Sequence, residues 1–526
     1  MSATIAAFHE RKQKFRIFHG STNSTRPRAH SHATNVVDTS GLNEVLHVDT
    51  SPDNPHVLVE PNVSMDRLVE ATLEHDHIPK VVMEFPGITV GGGYSGTSGE
   101  SSSFRYGFFD QTINEVEMVL ADGAVTKCSR TEKEDLFRGA AGALGTLGVT
   151  TLVNLQLIPA KRYVEVEYIP VASVEEAMST TTRLAQDKTI DYLDGIMFSH
   201  THGAIVVGRL TNTPSHPSLS IQTFSKPSDP WFYLHVQAAT TNTTAPFREC
   251  IPLPDYLFRY DRGGFWVGTS AFAHLKFPFN KYTRAFLDDF LHTRMMYTAL
   301  HASGQSRSYV VQDLAMPFES VPEFVAYCNG GTVKSAVDST ADSSSIDSAT
   351  ADSMTTTPAS TDSTGLFNIW PLWLCPLKQS PPPTMHPHTS QPSEPLMNIG
   401  LWGFGPRDPA RFIAANTALE HTLSRLHGMK WLYAHTYYPR AAFWSQFDEH
   451  HYNNLRQKYG AEGLVDIYEK VRVDVERQAR EAKGWKSRLL SIWPLGALYG
   501  LWRAIKSKSY LGARRARWMT WEMKQS

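Results

Sequence analysis

No apolar run in this chain of 526 residues reaches the roughly 18 to 20 residues that a membrane-spanning helix needs. The N-terminus, MSATIAAFHERKQKF, lacks the apolar stretch of a secretory signal. Cysteine is scarce: Cys128, Cys250, Cys328 and Cys375 stand far apart and form no C-x-x-C pair. That spacing excludes a disulfide framework and points to a reducing compartment. Nor does charge of one sign prevail, since 50 Lys and Arg face 52 Asp and Glu, so nothing suggests a nucleic-acid partner. The chain is expected to be soluble or to lie on a membrane surface.

What is present is an ordinary globular composition, 41% apolar and 19% charged, on a chain long enough for two or three domains. Charge is uneven only at the end, where ten Lys or Arg and a single acid, Glu522, follow from Lys483. Residues 16 to 60 read as four short strands, FRIFH, NVVDT, VLHVD and HVLVEP. SMDRLVEATLEHDHI then reads as an amphipathic helix, with Met65, Leu68, Val69 and Leu73 on one face and Ser64 as N-cap. VVMEF is a buried extended segment, and NEVEMVLADGAVTKCS is a hairpin turning at Asp122-Gly123. DLFRGAAGALGTLGVTTLVNLQLIP runs from helix through a glycine turn into a strand. Strands and helices without regular alternation predict an α+β fold.

Two stretches interrupt the later chain. Residues 335–364 are almost all Ser, Thr, Ala and Asp, which predicts a disordered insertion. Residues 378–395 form a proline-rich loop. The apolar FNIWPLWLCPL and LMNIGLWGFGP that flank this loop suggest excursions from one folded unit.

Three small-residue turns can carry chemistry. The first is HGSTNSTRP (19–27), whose hydroxyls and Arg26 suit a phosphate. The second is PGITVGGGYSGTSGESSS, in which Gly91, Gly93 and Gly96 satisfy G-x-G-x-x-G. A Rossmann fingerprint requires those glycines to open a helix after a strand, and the Thr, Ser and Glu that follow do not suggest one. The remaining reading is a run of bare backbone amides able to approach a pyrophosphate, with hydroxyls adding hydrogen bonds. A flexible surface loop would look similar. The third turn, GALGTLGVTT (142–151), can lie against a flat cofactor, as can many helix-to-strand turns.

FRIFHGSTNSTRP, VVMEFPGITVGGGYSGTSGESSSFRYGFFD, VEMVLADGAVTKC and DLFRGAAGALGTLGVTTLVNLQLIPAK together resemble the flavin domain of delta(24)-sterol reductases. The resemblance continues through FRYDRGGFW, WPLWLCP and WLYAHTYYPRAAFW. It implies a PCMH-type (vanillyl-alcohol-oxidase-like) FAD-binding domain over residues 1–165. A mixed α/β substrate or cap domain over 166–478 and a basic, aromatic tail over 479–526 would follow. Carried across, the FAD-contacting positions are Gly20, Ser21, Thr22, Asn23 and Ser24 in the first turn. The central loop contributes Thr89, Val90, Gly91, Gly92, Gly93, Ser95, Gly96, Thr97, Gly99, Glu100, Ser101 and Ser102. Gly145, Thr146, Gly148, Val149 and Thr150 make up the third turn. The first turn offers Ser21 and Thr22 where related oxidases carry a Gly-His pair, which predicts non-covalent FAD; His19 lies just before it.

The implied reaction reduces the carbon-24 double bond of a sterol side chain, with NADPH as electron source. An isolated alkene would take a hydride from the flavin at one carbon and a proton at the other, so a general acid is needed. His435, Tyr437 and Tyr438 in WLYAHTYYPR and Arg259, Asp261 and Arg262 in FRYDRGGFW are the candidates, with His435, Tyr437 and Arg259 foremost. Each also suits a structural role. The alternatives are a flavin oxidase or dehydrogenase acting on another lipid, terpenoid or alcohol, and a non-catalytic sterol- or membrane-binding protein. Animal and plant members carry a membrane-anchoring segment ahead of the flavin domain, which this N-terminus is expected to lack. Residues 485–518, with Trp493, Tyr499 and Trp502 beside Lys and Arg, suit an interfacial helix or one docked on the body. The expected location is intracellular, in the cytoplasm or peripherally at the endoplasmic reticulum membrane.

Overall fold

The computed structural model of the chain describes residues 1–20, 35–96, 98–330, 365–482, 484, 489–490 and 492–523. The serine-rich segment 335–364 and positions 21–24 and 97 lie outside the described residues.

Two sheets organise the molecule, and the fold is α+β. The first joins Val45–Asp49, His56–Val59, Val149–Pro159, Ile113–Val119 and Val125–Ser129 in that spatial order, with His77–Pro79 pairing beside Val149–Pro159. A separate parallel pair, Arg16–Phe18 with Val36–Asp38, holds the start of the chain. The hairpin forms as expected: Gly123 takes φ +90°, a conformation that glycine adopts at no steric cost.

Three local expectations change. Ser64 stands at the N-cap of the helix Met65–Leu73, but its hydroxyl donates to Asp66 Oδ1 (2.5 Å) instead of accepting from the helix backbone. The glycine run is itself helical over Val90–Gly96, and a second short helix follows over Ser103–Tyr106. The segment VVMEF forms no strand, although Val81, Val82 and Met83 are buried; the strand before the helix is His77–Pro79. Finally, the junction between sheets lies at residues 160–162, because Tyr163–Val171 is already a strand of the second sheet.

That second sheet has eight antiparallel strands, in the order Phe247–Pro252, Tyr163–Val171, His202–Thr211, Tyr192–Ser199, Leu372–Leu377, Leu396–Phe404, Tyr309–Pro317 and Met429–Lys430. Side chains alternate across it. Val310, Leu314, Leu374, Ile399 and Leu401 join a core with Ala177, Phe324 and Leu419, which sit on the helices Val174–Leu184, Val321–Asn329 and Pro409–Arg425. The opposite parity, Tyr309, Val311, Asp313, Trp373, Asn398 and Trp402, faces a cleft against the first sheet domain.

The two halves are fastened at several points. Arg294, on the helix Thr293–Ser303, grips Asp66 with both terminal nitrogens (2.7 and 2.9 Å). The proline-rich loop is anchored as well: His386 is buried, lies 3.0 Å from Asp110 and stacks on Phe108. The helix Glu449–Lys458 returns to the first domain, where Arg456 donates to the Thr146 carbonyl (3.0 Å) and Tyr452 to the Thr146 hydroxyl (2.9 Å). Residues 449–471 therefore complete the first domain instead of belonging to the second.

Candidate active site

The cleft between the sheets has a volume of about 470 Å³. One wall is almost bare backbone. Gly91, Gly92, Gly96 and Gly99 contribute from the central loop, Gly145 and Gly148 from the third turn, and Gly20 from the first. Thr89, Ser95, Ser98, Glu100, Val149 and Thr150 fill the intervals. Gly20 and Gly145 adopt φ +74° and +71°, so a side chain at either is strained. Arg16 and Lys470 add cationic groups beside Gly145, where they also meet in a small adjoining recess.

Several expected contacts point elsewhere. A Cβ on Gly93 would run into Met83 Cε at 2.7 Å and Phe109 Cδ1 at 2.8 Å, so this glycine serves core packing. Val90 is fully buried, and Ser101 and Ser102 donate to Glu84 Oε1 and the Lys80 carbonyl. Thr146 is held by Tyr452 and Arg456. None of these five lines the cleft. Ser21, Thr22, Asn23, Ser24 and Thr97 lie outside the described residues.

The opposite wall is aromatic: Phe265, Tyr297, Tyr309, Trp373, Trp402, Trp431 and Tyr433 line it. Phe265 sits at φ +56° after Gly263 and Gly264, an unusual conformation for a bulky residue. Its ring stacks on Tyr260 at 3.9 Å and lies 4.4 Å from Trp402, which holds it in place.

A model for an FAD binding domain matches residues 1–129. The chain is 27% identical to the human delta(24)-sterol reductase over 82% of its own length and 76% of the human chain. It is 25% identical to the delta(24)-sterol reductase of Pisum sativum, over 85% of this chain and 78% of the plant protein. A rice cytokinin dehydrogenase matches at 31% over only 34% of this chain and 35% of its own. The chain is an FAD-dependent oxidoreductase, similar over most of its length to delta(24)-sterol reductases.

The residues present fit the flavin. A Cβ at Gly96 meets nothing closer than Leu144 Cδ2 at 4.0 Å, so the space beside this glycine is open for a ligand to fill. Glu84 Oε2, on the cleft wall, is buried and has no hydrogen-bond partner. Among the described residues, His19 is the sole His or Cys on that wall, and all four cysteines are buried away from it.

The expected proton donors are not in this flavoprotein's cleft. Leu432 to Ala434 form a turn that separates Trp431 and Tyr433, on the cleft, from His435 and Tyr437, which face away. The carbonyl of buried His435 accepts from Lys430, and the Tyr437 amide donates to Glu420 Oε1 (2.9 Å). Tyr438 is buried in the same region. Arg259 lies behind the wall, where its Nη2 bridges Glu84 Oε1 (2.8 Å) and Asp194 Oδ2 (3.0 Å). Trp373 Nε1 and Tyr260 Oη donate to the same Asp194 oxygen. Asp261 binds His292 and Thr293, and Arg262 pairs with Asp288, so both hold the entry to the helix Thr293–Ser303.

The cleft instead contains a carboxyl that sequence reasoning passed over. Asp313 accepts from Asn398 Nδ2 at 2.9 Å and from the Tyr433 hydroxyl. Burial pushes its pKa up to about 6 against the opposing pull of those hydrogen bonds. Glu100 is raised well above the usual carboxylate range by burial, and next by the Glu84 charge. A lone acid in the mostly apolar strand YVVQDLAMP was the available signal, because a buried carboxylate needs partners.

Proposed function

We propose that this protein reduces the carbon-24 double bond of a sterol side chain, with NADPH as electron donor and non-covalent FAD, while attached peripherally to the endoplasmic reticulum membrane. The observation that carries the reading is the pairing of an apolar, aromatic cleft with Asp313, a buried acid on its aromatic wall whose pKa is raised and whose carboxyl is held by the Tyr433 hydroxyl and Asn398. An isolated alkene offers no carbonyl to polarise, so the protein must supply a proton at a fixed position.

Bound FAD supplies the hydride. Asp313 holds the proton on its carboxyl, and Tyr433 and Asn398 fix the orientation of that group. An apolar substrate lying over the carboxyl removes more water and raises its pKa further, which keeps the acid loaded near neutral pH. Phe265, Trp373, Trp402 and Trp431 exclude water and give a hydrocarbon side chain a surface to lie on. Arg259 is a positioning residue: it neutralises Glu84 and Asp194 behind the wall.

The test is anaerobic. The purified protein is given NADPH, and then a sterol that carries the carbon-24 double bond. Bleaching of the flavin band by NADPH and its return on adding sterol are the expected result. A flavin that NADPH leaves oxidised but an alcohol or terpenoid reduces would move the protein to the dehydrogenase reading. Absence of flavin would leave a binding role.

A further inference from the structure

The helix Leu495–Ser507 is built inside out. Its buried positions are Gly496, Gly500 and Ala504, an i, i+4, i+8 stripe of the smallest residues. That stripe lies on the helix Thr293–Ser303 so closely that a Cβ at Gly500 would meet the Ala299 carbonyl oxygen at 2.7 Å. The large apolar side chains Leu495, Leu498, Trp502 and Ile505 recur at helical spacing on the outer face, where Trp502 is 50% exposed. A surface helix ordinarily buries that stripe.

A second segment, remote in sequence, extends the same surface. Trp493 Nε1 donates to the His274 carbonyl (3.0 Å), and Lys276 Nζ lies 4.9 Å from the Trp493 ring centre. From there the chain presents Phe277, Phe279, Tyr282 and Phe286, the last 84% exposed. Neither 274–287 nor 492–518 contains an acid, and Lys276, Lys281, Arg503, Lys506 and Lys508 are exposed among the apolar groups. The same two body helices form the cleft: Val267, on Val267–Leu275, and Met296 and Leu300, on Thr293–Ser303, line it.

We infer that these two segments form one docking face for an anionic phospholipid bilayer, lying in its interface, and that a lipid substrate reaches the cleft from that side past Met296 and Leu300. Aromatic and aliphatic groups ringed by Lys and Arg, with Asp289 at the edge paired to Arg514, match the interfacial region and its negative headgroups. No helix among the described residues is long and apolar enough to cross, so this face rests on the bilayer. The inference deepens the peripheral attachment proposed above and adds the segment 277–286, which has no place in the tail.

Flotation of the flavin-loaded full chain with vesicles tests it, comparing pure phosphatidylcholine with vesicles of about 30 mol % phosphatidylserine. No sterol or NADPH is present, so the result is independent of the reaction assigned. The wild-type chain is expected to float with the anionic vesicles. The pair Tyr282→Glu/Phe286→Glu and, separately, Leu498→Glu/Trp502→Glu should each weaken partitioning roughly tenfold or more. Both variants should keep stoichiometric flavin, which shows that they fold. Lack of flotation by the wild type, or flotation unchanged in the Tyr282/Phe286 variant, overturns the inference. So does a dimer in light scattering that the same substitutions abolish, because a second copy would then own the face.

Discussion

The two walls of the cleft are made by opposite means. The cofactor side consists of backbone from short turns, with the least possible side chain at Gly91, Gly92, Gly96, Gly99 and Gly145. The substrate side is built from large side chains, Phe265, Trp373, Trp402, Trp431 and Tyr433, delivered by four separate segments. On the first wall a side chain added at Gly96 subtracts room, whereas on the second a removed atom leaves a hole. The difference teaches where substitutions should act on binding of the cofactor and where on turnover.

The largest effect separates two glycines in one loop. Gly96→Val directs its side chain into the open cleft and should abolish flavin retention while the apoprotein stays folded, as absorbance and circular dichroism will show. Gly93→Val instead collides with Met83 and Phe109 and should cost about 1–3 kcal/mol of stability, measured by chemical denaturation. A folded Gly93→Val protein that has lost its flavin while Gly96→Val keeps it would reverse the assignment of that wall.

Next comes Asp313→Asn, which keeps the shape and removes the acid. The rate of sterol-dependent flavin reoxidation should drop by roughly 10² to 10⁴ with flavin content unchanged. In the parent, that rate should fall as pH rises through the carboxyl's pKa, which is about 6 before substrate covers it. Stability has the matching sign. The folded pKa is raised from 3.8, so the unfolded chain gives up this proton first and stability declines as pH climbs from 3.8 toward 6. The Asn variant should lack both slopes.

Arg259→Ala tests the support behind the aromatic wall. It strands Glu84 and Asp194 as buried carboxyls and should cost about 3–5 kcal/mol in thermal or denaturant unfolding. Smallest of all, Tyr437→Phe should change the reoxidation rate by less than about twofold, since the backbone amide and not the hydroxyl makes the contact with Glu420. A large loss there would return the proton donor to the segment His435–Tyr438.

The two walls were also unequally legible in the sequence. Turns made of backbone announce themselves locally, so the glycine loops, the hairpin at Asp122-Gly123 and the family resemblance were readable. Which glycine faces the ligand was not, because that depends on Met83 and Phe109, distant neighbours that only folding supplies. The aromatic wall comes from strand parity and long-range pairing: Asp313 meets Asn398 through strand alignment and Tyr433 through a turn. That turn at 432–434 is why WLYAHTYY yields Trp431 and Tyr433 instead of His435 and Tyr437. The tail was read as an interfacial helix or a docked one, and the helix Leu495–Ser507 is docked through its small face with its large face outward.

The return of Glu449–Lys458 to Thr146 has a consequence for biosynthesis. A ribosome that has released residues 1–165 has made every strand of the first sheet, yet the hydroxyl and carbonyl of Thr146 still lack Tyr452 and Arg456. Some 300 more residues must emerge before that corner closes. The nascent flavin domain therefore waits for nearly the whole chain, and its final closure is a late event that chaperones and free flavin can reach first.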